Sequence, residues 1–210
     1  MLSINDIFDR ESTDNETSPE EYYRMGMLYY NGDSLVQSYE QALDCFRIAA
    51  DQGHAGAQCQ LGLMHAFGKG VPKSYREAKE WFKLSADQGY PCAQNNLGQM
   101  YRLGKGVQQS DEEAVKWYRL AADHGSRNAQ YHLGWMYYKG LGIERSDAEA
   151  AKWFRLAAKD GDPRAQYDFG QLYWMGKGVP QSCDKAVKLY RMAADQGLAV
   201  AKERLSKLGL

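Results

Sequence analysis

The tetrad Ser182-Cys183-Asp184-Lys185 sets a lysine three residues after a serine. At that spacing the penicillin-recognising enzymes activate a serine nucleophile. The same chemistry draws on Ser-Asp-Asn and Lys-Thr-Gly partners, and neither tripeptide occurs in the chain. A β-lactam-binding or hydrolysing enzyme centred on Ser182 is therefore the minor reading, and a helix N-cap the main one. Gly68-Lys69-Gly70 offers glycines and a cation, but not the longer spacing or preceding strand of a phosphate-cradling loop. It reads as a turn. His54, His65, His124 and His132 show no metal-ligand spacing, and Cys45, Cys59, Cys92 and Cys183 contain no Cys-x-x-Cys. No catalytic residue, metal site or cofactor is assigned. Cys59 could approach Cys45 across adjacent helices, a distance that sequence does not fix.

A base recurs at Arg47, Lys83, Arg119, Arg155 and Arg191, as though to follow a phosphate backbone. Acids stand four residues on at Asp51, Asp87, Asp123 and Asp195, so i,i+4 pairing on a solvated face explains the column. The net charge of −1 also excludes bulk attraction for nucleic acid. Residues 1–21 hold seven acids against Arg10, which leaves 20 acids against 25 bases in the rest. A mildly basic body follows an acidic leader. No stretch approaches the ~20 apolar residues that a membrane helix needs. The opening residues lack a secretory pattern, and no disulfide ladder is visible. A monomer in the cytoplasm, without membrane insertion, is expected.

What must position these residues is a repeat. Gly26, Gly62, Gly98, Gly134 and Gly170 are 36 apart, as are Gly53, Gly89, Gly125, Gly161 and Gly197. Ala42, Ala78, Ala114, Ala150 and Ala186 keep the same step. A fixed period of this length marks a solenoid. The units run 18–53, 54–89, 90–125, 126–161 and 162–197, after a leader 1–17 and before a capping helix within 198–210. Each unit predicts two helices. The first starts at a cap such as Ser126 or Asp162, tolerates Pro19, Pro91 or Pro163 in its first turn, and ends at a glycine turn. The second opens with a capping-box pattern, Ser38…Gln41, Ser74…Glu77, Ser110…Glu113 and Ser146…Glu149. Ser182…Lys185 departs and should cap more weakly. The fold class is all-α, a right-handed α–α superhelix. The recurring Trp81, Trp117 and Trp153 are assigned to packing between neighbouring helices.

The strings Ala-x-x-Trp-Phe/Tyr-x-Leu-x-Ala-Asp-x-Gly (Ala78–Gly89, Ala114–Gly125) and Ala-Gln-x-x-Leu-Gly-x-Met-Tyr (Ala93–Tyr101) are similar to the Sel-one-like repeat family, relatives of the tetratricopeptide repeat. The resemblance covers about residues 18–208. It implies a scaffold or adaptor that holds protein complexes; bacterial members often engage envelope or host proteins. It also implies that the variable face of each first helix lines a concave groove. The first copy departs most, with Cys45 in the tryptophan column and Ser34 in a turn-glycine column.

On the first helix of unit four, Ala129, Leu133, Met136 and Tyr137 keep phase on one side, while Asn128, Tyr131, Trp135, Tyr138 and Lys139 fall opposite. The groove candidates are Arg102, Tyr131, Trp135, Tyr138, Lys139, Arg164, Tyr167, Gln171, Trp174 and Met175. Aromatics that the repeat does not require are what a peptide hot spot uses, and the neighbouring bases could take a carboxylate. The expected function is a non-catalytic adaptor with a protein or peptide ligand. Two alternatives stay open: the Ser182 enzyme, and a self-regulated scaffold with the leader in its own groove.

Overall fold

The structure, a computed structural model, describes residues 17–210. Among them are eleven helices and no strand. The helices are α1 Pro19–Asn31, α2 Tyr39–Asp51, α3 Ala55–Phe67, α4 Tyr75–Asp87, α5 Pro91–Leu103, α6 Asp111–Asp123, α7 Arg127–Lys139, α8 Asp147–Lys159, α9 Pro163–Met175, α10 Cys183–Asp195 and α11 Ala199–Lys207. Each helix packs on its neighbours in the chain, most closely within a unit. That nearest-neighbour stacking is an α-solenoid.

The helix pairs close on a contact between glycine and an aromatic ring. A methyl group placed on Gly134 would stand 2.7 Å from Phe154 Cδ1. On Gly26, Gly62, Gly98 and Gly170 it would stand 2.5 to 2.7 Å from the rings of Phe46, Phe82, Tyr118 and Tyr190. Only a residue without Cβ lets the second helix come this near. These rings are essentially sealed from solvent. The tryptophans pack against the core as the sequence suggests, though less enclosed than these rings. Trp153 is buried, but Trp81 and Trp117 are half-buried, and the Lys83 ammonium lies 5.7 Å from the Trp117 ring. The residue after the tryptophan is the true wedge.

Between units, the turn glycine of one touches the start of the second helix in the unit before. At Gly106 an added Cβ would lie 2.6 Å from the Tyr75 carbonyl oxygen, at a φ of +70° that suits glycine alone. Ser34 occupies this column in the first unit and keeps φ at 62°. Buried glutamines tie the units further: Gln58, Gln94 and Gln166 donate Nε2 to the carbonyls of Ala50, Ala86 and Ala158.

The serine caps form by half. Ser38, Ser74, Ser110, Ser146 and Ser182 each accept from the backbone N–H three residues on. The expected reciprocal acids go elsewhere: Glu77 reaches His65 Nδ1 at 2.8 Å, and Glu113 and Glu149 pair with Lys116 and Lys152. The complete box is at Ser18 and Glu21. Of the expected i,i+4 pairs, Lys83–Asp87 forms, while Arg119 donates instead to the Tyr137 hydroxyl at 2.6 Å.

A pair of backbone variants checks this packing. Gly134→Ala must push the Phe154 ring aside and should cost about 1–3 kcal/mol, as overpacking does. Ser34→Gly relieves a left-handed side chain and should gain up to about 1 kcal/mol. Urea unfolding followed by circular dichroism measures both; equal midpoints for the two would contradict the packing described.

Candidate functional site

The first helices line one wall of the solenoid. α3 touches α5 across a unit boundary, and Arg164 of α9 donates to Asn128 of α7 at 3.0 Å. Between α7 and α9 the wall opens into a pocket of about 310 Å³, floored by Phe154 and Leu172. Its sides are Trp135, Tyr138 and Lys139 from α7, and Asp168, Gln171 and Met175 from α9. A smaller pocket of about 80 Å³ lies between α3 and α5, around Leu63, Ala66, Phe67, Phe82, Asn96, Gln99, Met100 and Leu103. Adding 72, two full repeats, to each of those eight numbers gives the residues of the larger pocket. They are one socket written twice.

The reason lies in the packing rings. Where the ring is Phe82 or Phe154, no hydroxyl projects toward the first-helix wall. Where it is Tyr118 or Tyr190, a hydroxyl extends from the far end of the ring instead. The Tyr190 hydroxyl donates to Gln171 Oε1 at 2.8 Å, and the Tyr118 hydroxyl is buried beside Arg102. His132 stacks on Tyr118 with centroids 5.0 Å apart.

Five of the ten residues singled out by sequence meet in the larger socket: Trp135, Tyr138, Lys139, Gln171 and Met175. The other five stand around it. Arg102 holds its guanidinium 6.0 Å from the Trp135 ring. Tyr131 lies under the Arg164 guanidinium at 4.4 Å. Tyr167 accepts from Gln171 Nε2 at 2.9 Å. Trp174 is covered by Arg204 at 5.0 Å and packs on the C-terminal cluster, away from the socket. Arg164 is ion-paired to buried Asp162 at 2.6 Å. Trp135, Tyr131, Tyr138, Tyr167 and Trp174 are half-buried, and Met175 is exposed.

Sequence reasoning missed Asp168, Phe154 and Leu172. Asp168 belongs to the column Arg24, Gln60, Asn96, His132, Asp168, which sits about 20° beyond the Lys139 column at ~100° per residue. Its variation was the available signal. Burial pushes the Asp168 carboxyl up to about 6, against the pull of the Tyr131 hydroxyl, Lys139 and Arg164; Asp162 raises it further. Burial, with Arg164 and Arg102 nearby, pushes His132 down to about 4, so its ring is neutral at pH 7.

The other reactive candidates resolve simply. Ser182 caps α10, and the Lys185 ammonium lies 5.1 Å from the Tyr173 ring. Cys59 faces Cys92 of the next unit, and Cys45 is buried in a separate cluster. All four cysteines are free thiols. No group of metal-ligating side chains occurs among the described residues. The leader 1–17 falls almost wholly outside them.

The wall and its sockets define the class: an α-solenoid of helix–turn–helix repeats. The Sel1 repeat model matches residues 22–54, 55–90, 93–126, 127–162 and 163–198, and the chain belongs to the Sel1 repeat family, whose members are generally scaffolds for protein–protein interaction. It is similar to a Sel1 repeat protein from Oxalobacter formigenes, with 31% identity and a TM-score of 0.89 over 97% of this chain and 83% of that one. It is also similar to c5321, a protective antigen of uropathogenic Escherichia coli with an SLR fold, with 36% identity and a TM-score of 0.83 over 90% of this chain. The chain spans 41% of that antigen's length. The immunity protein Pa5087 of Pseudomonas aeruginosa shares the fold, with 21% identity and a TM-score of 0.58 over 92% of this chain and 71% of that one. No curated protein matches the sequence. No helix among the described residues is long and apolar enough to cross a membrane.

The raised carboxyl fixes a sign for stability. With its folded value near 6 and an ordinary value of 3.8, Asp168 binds more protons folded than unfolded between those limits. Its contribution to stability is therefore lost as pH rises through 6. Melting temperatures between pH 4.5 and 7.5 should fall less steeply for Asp168→Asn than for wild type; parallel curves would place Asp168 in water.

Proposed function

We propose that this protein is a non-catalytic adaptor that holds a segment of a partner protein along its first-helix wall. One observation carries the reading. Each helix pair is already closed by its glycine–ring contact, yet half-buried aromatics line an open socket that this packing does not use. Rigid aromatic walls around a desolvated pocket are where binding energy concentrates. The second socket gives the partner a ruler. Neighbouring first helices at the usual packing distance place the sockets about 20 Å apart, the reach of about six extended residues. The partner is then read as a short extended segment with two anchoring side chains. A monomer in a reducing cytoplasm is the setting this reading assumes.

The enzymatic alternative finds no support in geometry. Ser182 is occupied as a cap, and the lysine of its motif is turned toward Tyr173.

Trp174 packs the C-terminal end, so the clean binding variant is Trp135→Ala with Met175→Ala. Crosslinked capture from native lysate, quantified by mass spectrometry, should lose the wild-type partner by tenfold or more. The urea midpoint should shift little compared with Gly134→Ala. Full capture by the double variant would overturn the groove assignment.

A further inference from the structure

Asp168 is the unusual member of the larger socket. It forms no ion pair among the described residues, although a half-buried carboxylate between apolar walls is stable only when it is paired or hydrogen-bonded. The Tyr131 hydroxyl hydrogen-bonds it, and Lys139 and Arg164 lie near enough to favour its charged form. The nearby bases are committed elsewhere. Arg164 gives two bonds to Asp162 and one to Asn128. The Lys139 ammonium lies over Trp135 and Tyr138, at 5.9 and 5.4 Å.

The sister socket is an internal control. Asn96 stands there in place of Asp168, and its amide is spent on the Cys92 carbonyl at 3.0 Å. Phe67 replaces Lys139, and Leu63 replaces Trp135. The acid is thus not demanded by the repeat, and it arrives together with an aromatic wall. That wall already attracts cations: Arg102 and Lys139 flank Trp135, and Arg164 covers Tyr131. A carboxylate guest, which the sequence alone suggested, would have to sit against Asp168.

We propose that the socket between α7 and α9 binds a basic side chain of the partner segment, its cation meeting Asp168 and its methylenes lying along Trp135, Phe154 and Leu172. Lysine and arginine combine an apolar stem with a charged head, and the aromatic faces add cation–π attraction. Arginine fits best, because its planar fork can meet a carboxylate with two bonds and stack at once. The site rests on the groove reading above and names what enters it. The groups facing Asp168 are Tyr131 and Lys139 from α7, Asp162 and Arg164 from α9, and Tyr190 from α10. With the carboxyl pushed up to about 6, acid should empty the socket.

The test uses the full chain and three blocked tripeptides, acetyl-Gly-X-Gly-amide, with X as arginine, its uncharged isostere citrulline, or glutamate. The indole ¹H–¹⁵N signal of Trp135, assigned through Trp135→Phe, is the readout, with the other four tryptophans as folding controls. The arginine peptide should saturate the shift, citrulline should bind about tenfold more weakly or worse, and glutamate should leave the signal in place. Asp168→Asn should reduce arginine to the citrulline level, and wild-type affinity should fall from pH 7 to pH 5. Citrulline binding as tightly as arginine, or glutamate binding more tightly, would overturn the cation site while the groove stands. Saturation by none of the three would overturn both. The wild-type comparison decides the matter even should Asp168→Asn fold poorly.

Discussion

Everything in this solenoid leans on a ring pressed against a glycine. The contact recurs five times, from Gly26–Phe46 to Gly170–Tyr190, and it sets how close the two helices of each unit stand. Interiors are packed as densely as organic crystals, so no side chain, not even alanine, fits between ring and backbone without displacing one of them. Stacking of units follows from the same economy of space. The turn glycine at Gly106 presses on the Tyr75 carbonyl of the preceding unit. The first unit has none before it among the described residues, and there a serine is tolerated at the same backbone angle.

The same rings bear on where the wall opens, although Phe46, which lies beside Tyr23 and Tyr30, shows that neighbouring side chains matter too. Phenylalanine and tyrosine satisfy the glycine contact equally, since they differ only at the far end of the ring. That far end reaches the first-helix wall. Phe82 and Phe154 leave sockets, whereas Tyr118 and Tyr190 bring hydroxyls to Arg102 and Gln171. A choice that is nearly silent for the fold therefore changes the shape of the first-helix wall. The alternation along α4, α6, α8 and α10 makes the spacing of sockets two repeats rather than one.

How much of this was legible depended on whether a feature is a presence or an absence. The five units and their helix ends could be read because glycine, alanine and serine recur in fixed phase, each for a local physical reason. The tryptophans do pack between neighbouring helices, as their phase indicated, but the ring that follows each one is more enclosed: Trp117 is half-buried while Tyr118 is sealed. Half of the groove residues chosen by helical arithmetic do share the larger socket. Trp174 does not, because Arg204 of α11 covers it, a contact across units that no single-helix projection contains. The socket floor is the ring of Phe154, whose missing hydroxyl is plain in the sequence, but where the far end of that ring points is not. Asp168 was not singled out in the sequence, because its setting exists only once α7 and α9 enclose it.

The measurement that bears most directly on this account is the structure and ligand response of Phe154→Tyr. The substitution keeps the ring that meets Gly134 and adds only the hydroxyl that Tyr118 and Tyr190 already carry. The account predicts an unchanged helix pair, a melting temperature close to wild type, a filled socket and loss of guest binding there. A Phe154→Tyr protein that still takes the guest at wild-type affinity, or that unfolds because the ring cannot seat, would contradict it.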